Sequence, residues 1–373
     1  MATDKTHKIP NAPNLRFPEF SGTLEKHKIA EVAPLQRGFD LPTQEIKKGE
    51  FPVVYSNGIL RHHKHYKCEA PGLITGRSGT IGKFTFVENG KYWPHNTSLW
   101  VTDFCGNHPQ YMYYLFQTIN IEQYATGSGV PTLNRNDVHR HIVFVPSVDE
   151  QKKIAEFLSI VDERIATQIG AIEDYKRLKG YLIDKLIKQQ DCTMKIGDVI
   201  AQKSERNRKG DDYTVLSVSN QKGFLAQSEQ FEEREVASED KSSYKIVRRD
   251  DFAYNPARIN VGSIARLINY DCGIVSPMYI CFHADKCVLP EFLGYFFESR
   301  CFATEVDKRL EGSVRLCLSY DGLCDIPIQI PDVEKQRAII QKLDAVSQKI
   351  VLEEQCLDLY KQQKDYLLKN MFV

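Results

Sequence analysis

Residues Ser147–Gln190 read SVDEQKKIAEFLSIVDERIATQIGAIEDYKRLKGYLIDKLIKQQ, and the chain contains this pattern twice. Its seam positions step 4-3-4: Ile154, Leu158, Val161, Ile165, Gln168, Ile172, Tyr175, Lys179, Leu182, Leu186. Adding 185 to each number gives Ile339, Leu343, Val346, Ile350, Glu353, Leu357, Tyr360, Lys364, Leu367, Met371. Such spacing buries one narrow stripe of a helix against a partner helix. Two unrelated amphipathic helices would share the step. They would not share polar interruptions at the same places, nor the pairs Tyr175-Lys176/Tyr360-Lys361 and Tyr181-Leu182/Tyr366-Leu367. The helix is therefore read as duplicated. Ser147 and Glu150 have the spacing of a capping box, and Asp149 and Glu150 suit the positive end of the helix dipole.

Outward from the helix the repeat continues. Pro109–Thr118 (PQYMYYLFQT) is expected to be a short helix with proline at its first position, and Pro290–Cys301 (PEFLGYFFESRC) its counterpart. Helical spacing places the aromatics of the first in a core rather than on a base-stacking surface. Thr126-Gly127-Ser128 matches Glu311-Gly312-Ser313, Leu133 matches Leu318, and Pro146 and Pro331 each precede a long helix. The stretches between carry β-like runs with turns at Asn57-Gly58 and Asn89-Gly90. The expected fold is α+β: two β-rich mixed domains separated by a two-helix antiparallel coiled coil, with an internal pseudo-two-fold repeat. Its segments are 1–146, with residues 1 to 20 a loosely held arm, then 147–190, 191–331 and 332–373. A second helix leaving the second domain covers its seam within the chain only by running back along the first, which holds two similar domains apart on a rod. Ala155, Phe157, Ile169, Ile340 and Leu352 lie off the seam and are free for domain packing or a bound subunit.

At 373 residues the chain is long enough for two domains, and 42% hydrophobic with 26% charged residues is the composition of a soluble globular protein. No apolar run reaches the length of a membrane span, and the N-terminus lacks the apolar region of a signal peptide. Ten cysteines without a C-x-x-C pair read as reduced thiols in a cytoplasmic protein. A net charge of zero directs attention to local basic faces rather than to a total. No G-x-G-x-x-G or Walker loop is present, and Asn255-Pro256-Ala257 lacks the second proline and aromatic of a methyltransferase motif. His62, His63 and His65 have no carboxylate or cysteine at a metal-ligand spacing, so no metal site is expected.

Several segments, taken in this order and repeated, resemble the specificity subunit of type I restriction–modification systems. They are GRSGTIG (Gly76–Gly82), ATGSGVPTLN (Ala125–Asn134), PSVDEQKKIAEFLSIVDERI (Pro146–Ile165), YNPARINVGSIARL (Tyr254–Leu267), VSPMYI (Val275–Ile280), PDVEKQRAI (Pro331–Ile339) and the terminal YLLKNMFV. The resemblance covers nearly the whole chain. It implies two target-recognition domains that read a bipartite site in double-stranded DNA, and no catalysis by this chain. It implies docking of two adenine-N6 methyltransferase subunits and of ATP-driven restriction/translocase subunits, with S-adenosylmethionine, ATP and Mg on those partners only. The second copy departs from the first where Gly129-Val130-Pro131-Thr132 becomes Val314-Arg315-Leu316-Cys317, in keeping with different half-sites. A coiled-coil adaptor presenting two protein-binding domains is the reading from another class.

Candidate DNA contacts follow from residue chemistry. Arg77, Ser78, Thr80 and Lys83 lie on or beside a glycine-rich turn, where Gly76, Gly79 and Gly82 would let backbone amides approach phosphates. Arg135 and Arg140 follow a second loop and suit phosphate or a guanine edge. Arg258, Asn260 and Arg266 occupy the matching strand and turn of the second copy, Asn being suited to adenine and Arg to guanine. Arg315 replaces a small apolar position. Lys203, Arg206, Arg208 and Lys209 form a basic run, which is either a solvated loop or a backbone contact.

Overall fold

The structure, a computed structural model, describes residues 12–127, 129–187, 193–220, 222–227, 241–312 and 316–373. The chain is α+β and forms two compact units, one of residues 1–169 with 355–373 and the other of residues 170–354. Each unit contains part of both long helices, Val148–Ile187 and Val333–Met371.

In the first unit, one four-stranded antiparallel sheet has the order Leu35–Arg37, Ser98–Val101, Gly72–Gly76, Phe84–Val87. A second has the order Gly58–His63, Phe51–Tyr55, Lys91–Pro94, Cys68–Glu69, with the two central strands parallel. The short helix Pro109–Thr118 buries Tyr111, Met112, Tyr114, Leu115 and Phe116. They share a core with Leu73 and Leu99 of the first sheet and with Ile154, Ala155, Leu158 and Val161 of the first long helix. Leu367, Leu368 and Met371 of the second long helix complete it. The start of one long helix thus lies against the end of the other, which is antiparallel packing.

The second unit repeats this plan strand for strand. Its antiparallel sheet runs Ile200–Lys203, Ile280–Ala284, Phe252–Tyr254, Ile264–Arg266. The other runs Gly223–Ala226, Val215–Ser219, Cys272–Val275, Lys245–Arg248, again with a parallel central pair. Phe292, Leu293 and Phe296 of the helix Pro290–Phe297 pack with Ile183 and Ile187 of one long helix and Ile339, Ile340 and Leu343 of the other. Here too the long helices are antiparallel, and Lys176 Nζ reaches Glu354 Oε1 across them at 2.7 Å.

Two polar devices recur with the repeat. Gln151, 1% exposed, donates Nε2–H to Pro146 O (2.9 Å) and Asn107 Oδ1 (2.9 Å) and accepts His108 N–H (2.8 Å). Gln336, 0% exposed, donates to Pro331 O (2.9 Å) and Cys287 O (3.0 Å) and accepts Leu289 N–H (2.8 Å). Each ties the start of a long helix to the residue preceding a short one. Tyr114 Oη donates to Asp162 Oδ2 (2.9 Å), and Lys364 Nζ on the other long helix reaches Asp162 Oδ1 at 2.7 Å. In the second unit Tyr295 Oη donates to Asp344 Oδ1 (2.5 Å) and Lys179 Nζ lies 5.2 Å from the tyrosine ring centre. Burial raises both tyrosine pKa values, so both hydroxyls stay protonated and donate.

The seam residues occupy the sheltered side of each long helix. Ile154, Leu158, Val161, Ile172, Ile339, Leu343, Ile350 and Leu367 are buried, while Ile165, Leu182, Val346 and Leu357 are half-buried. Of the off-seam positions, Ala155, Phe157 and Ile340 pack into the cores, whereas Ile169 and Leu352 stay exposed.

Three local expectations need correction. Residues 12–20 of the arm are not loose: Leu15 N–H donates to Asn370 O (2.8 Å), and Phe17 packs edge-on against Phe157 at 5.8 Å. Arg16 Nε and Nη2 each lie 2.7 Å from the Glu150 carboxylate. That pair also undoes the capping box. Ser147 Oγ accepts Glu150 N–H only at 3.5 Å, while the Glu150 carboxylate, 2% exposed, turns to Arg16. The expected helix Pro290–Cys301 is two helices, Pro290–Phe297 and Arg300–Arg309. Ser299 ends the first by donating Oγ–H to Phe296 O (2.6 Å) and caps the second by accepting Phe302 N–H (3.1 Å).

Candidate nucleic-acid interface

Three loops converge in each unit. In the first they are the hairpin turn Tyr55–Gly58, the glycine-rich loop Gly76–Gly82, and the hairpin of Ala125–Thr126 with Thr132–Leu133. Leu133 N–H donates to Arg77 O (2.7 Å) and Gly79 N–H to Pro131 O (3.1 Å), which sews the second loop to the third. Lys83 Nζ donates to Asn57 O (2.6 Å), which ties it to the first. Glycine is needed at 76 because a Cβ there would stand 1.7 Å from Thr80 O, and at 79 because its φ is +84°.

The second unit builds the same cluster from different residues: the turn Ser219–Gly223, the loop 255–263, and the segment around the Glu311–Cys317 bridge. Leu318 N–H donates to Pro256 O (3.1 Å), the counterpart of the Leu133–Arg77 bond. Ser263 Oγ donates to Val218 O (3.1 Å), joining the loop to the first hairpin. Buried Asn255 folds the loop by accepting Ala257 N–H at 3.0 Å.

Among the expected contacts of the first unit, Thr80, Lys83, Arg135 and Arg140 are exposed, and Arg77 and Ser78 are half-buried. The Arg77, Ser78 and Gly79 N–H groups already donate to backbone carbonyls, two of them to Thr97 O. The amides of residues 77–79 are therefore not offered to phosphate, and the side chains are what the loop presents. Arg135 makes no side-chain hydrogen bond or ion pair with a described residue. Arg140 pairs with Asp137 at 3.2 Å.

In the second unit Arg258 and Asn260 are exposed on the loop. Arg266 is held back from it, with Nε 3.7 Å from Asp250 and Nη1 2.7 Å from Glu291. Arg315 lies outside the described residues. Arg206 and Arg208 are exposed, and their loop is pinned by buried Asn207 and bridges Lys245 on the outer strand of the second sheet. Lys203, from the same basic run, is used internally in a 2.6 Å pair with buried Asp251.

Burial pushes two histidines near the first unit's cluster, His139 and His141, toward the neutral form. His139 Nε2 accepts Leu35 N–H (2.8 Å), and burial, then the Arg135 charge, lowers its pKa. Burial also lowers that of His141, whose Nδ1 lies 2.8 Å from Tyr124 Oη. His63 is buried and accepts Lys47 N–H at 3.0 Å. Among the described residues no group of three or more His, Cys, Asp or Glu is placed to hold a metal ion.

Two parts of the cluster were not identified as site elements from sequence, the turns at residues 55–58 and 219–223, which present Asn57, Asn220 and Lys222. Their turn signals, Asn57-Gly58 and Ser219-Asn220-Gln221-Lys222-Gly223, were available; their proximity to loops far along the chain was not. The cluster offers exposed cations, hydroxyls and amides on short loops braced by two sheets. That chemistry suits phosphates and base edges.

Residues 22–173 match the family model described as type I restriction modification DNA specificity domain. This chain carries a type I specificity domain. A type I restriction enzyme specificity subunit from Escherichia coli is 24% identical over 171 residues, 44% of this chain, and the match spans only 42% of that protein. A putative type I specificity subunit from Mycoplasma pneumoniae is 24% identical over 387 aligned positions, 94% of this chain and 97% of its own. The fold is also that of the type I S subunit from M. genitalium, at a TM-score of 0.61 with 16% identity, covering 97% of this chain and 99% of that one. A chain from a study of complex assembly and conformational transition of the type I system gives 0.57 with 14% identity, covering 94% and 98%. The matched residues 22–173 include the first three-loop cluster and about the first two thirds of the first long helix.

Proposed function

We propose that this chain is the DNA-reading subunit of a type I restriction–modification complex, and that each unit reads one half of a bipartite site with its own three-loop cluster. The observation that carries this reading is the paired cluster: one backbone scaffold, built twice, presents Arg77, Lys83 and Arg135 in one copy and Arg258, Asn260 and Lys222 in the other. Equivalent scaffolds with different side chains suit two different half-sites. The exposed apolar side chains of the long helices, among them Ile160, Leu178, Val351 and Leu359, suit docking of other subunits.

In this reading the partners are two adenine-N6 methyltransferase subunits and the restriction/translocase subunits. They carry S-adenosylmethionine, ATP and Mg; this chain supplies address rather than chemistry and works in the cytoplasm. No helix among the described residues is long and apolar enough to cross a membrane. The test is binding of the chain, assembled with its methyltransferase, to duplex DNA at several salt concentrations. Affinity should fall steeply and log-linearly with salt as phosphate contacts are lost. Absence of salt-dependent binding would instead support an adaptor with no DNA role.

A further inference from the structure

The repeat provides an internal comparison that exposes a second kind of site. The loop bonds Leu133–Arg77 and Leu318–Pro256 set the two units in register, so that Leu73 corresponds to Phe252. Across the sheet Leu73 pairs with Phe86, and Phe252 with Arg266. Tyr113 and Gly294 are each the fifth residue of the short helix that covers this sheet. In the first unit Phe86 and Tyr113 pack ring against ring, with centroids 5.4 Å apart and planes tilted by 32°. In the second unit one ring has become a guanidinium and the other is missing.

The vacated position opens into a larger cavity of about 740 Å³ in the second unit, with Phe252 and Phe297 among its apolar lining. A Cβ added at Gly294 would meet nothing within 4 Å. Arg266 Nη1 is buried at its edge and pairs with Glu291 Oε1 at 2.7 Å, which holds the guanidinium against the cavity wall. The charged groups lining the cavity are Glu291, Glu298 and Asp344 against Arg266 and Lys179, three negative and two positive. Lys179 and Glu298 already pair at 2.7 Å, and Arg266 faces Glu291.

We infer that this cavity binds a flat, neutral, amino-substituted heteroaromatic ring of nucleobase size, seated where Tyr113 sits in the other unit. A guanidinium plane stacks on such rings, as the Phe86 ring packs on tyrosine in the first unit. Glu291 and Asp344 can accept from an exocyclic amine of a ring stacked in this way. One surplus negative charge on the wall disfavours a phosphorylated ligand. The cavity borders Ser219, Asn220, Gly223 and Gly262 of the second unit's three-loop cluster, and binding of a free nucleoside is measured without DNA, so the inference can fail or hold independently of DNA reading.

The test titrates the full chain with adenosine and with adenosine monophosphate, followed by ligand-detected NMR or calorimetry. Adenosine should bind saturably below about 1 mM, more tightly than the monophosphate. Gly294→Tyr restores the missing ring and should weaken adenosine at least tenfold with melting unchanged or raised. Arg266→Lys keeps the charge facing Glu291 but loses the flat face, and should also weaken binding. No binding to the wild-type chain, binding indifferent to Gly294→Tyr, or equal affinity for the monophosphate would overturn the inference.

Discussion

Replacing Gln151 by leucine probes the join between the first long helix and its sheets. The side chain keeps its approximate volume but loses three hydrogen bonds, to Pro146 O, Asn107 Oδ1 and His108 N–H, at a position 1% exposed. A buried group left unpaired costs about 1–3 kcal/mol, so three would cost several. Burying leucine in place of an amide returns part of this, while the Asn107 Nδ2–H bond to Phe104 O (2.9 Å) does not replace the one lost at Oδ1. The expected net loss is about 2–4 kcal/mol, a fall in melting temperature of roughly 5–15 °C for a unit of this size. Both tryptophans of the chain, Trp93 and Trp100, lie in the first unit, so tryptophan fluorescence follows its unfolding selectively. Gln336→Leu makes the equivalent change in the second unit and should lower its stability by a similar amount while leaving the tryptophan transition nearly in place. A Gln151→Leu loss under about 1 kcal/mol would refute the view that this glutamine joins helix to sheets.

Other expectations are equally direct. Arg16→Ala leaves the Glu150 carboxylate buried beside a helix N-terminus that compensates only part of its charge; chemical denaturation of the first unit should show a loss of about 2–4 kcal/mol, less in Glu150→Gln/Arg16→Ala. Burial lowers the pKa of His95, His108, His139 and His141, all in the first unit. The unfolded chain therefore binds protons first. The stability these groups contribute is present above pH 6.5 and is lost as pH falls through their depressed folded values. Tryptophan-monitored melting should accordingly drop between pH 7.5 and 5.5. Arg258→Ala should cost about 1–3 kcal/mol of discrimination at one position of one half-site if it contacts a base, scored by selection from randomised duplexes. An unchanged preference removes it from the readout.

The duplicated helix was legible because its information is local and periodic. The 4-3 step and its matching polar interruptions survive in one dimension, and the least exposed faces of both long helices carry those residues. The short helix at Pro109–Thr118 was legible for the same reason. What failed depended on partners distant in the chain. Glu150 has the spacing of a capping box, but Arg16, 134 residues away, competes for its carboxylate and wins with two short bonds. Ser299 looks like an ordinary helical residue until its hydroxyl is seen to stop one helix and cap the next. The sequence singles out Arg266 from its neighbours but could not show that the fold brings Glu291 to it. The glycine-rich loop is expected from sequence to bring backbone amides to phosphates, but the fold spends the amides of residues 77–79 on the chain's own carbonyls.

Exchange of residues 194–331 for the matching segment of another specificity subunit, followed by mapping of methylated adenines in cells carrying the partner subunits, tests the two-reader arrangement most directly. One half of the recognised sequence should change, and the half read by the first unit should be retained. Alteration of both halves, or of neither, would contradict it.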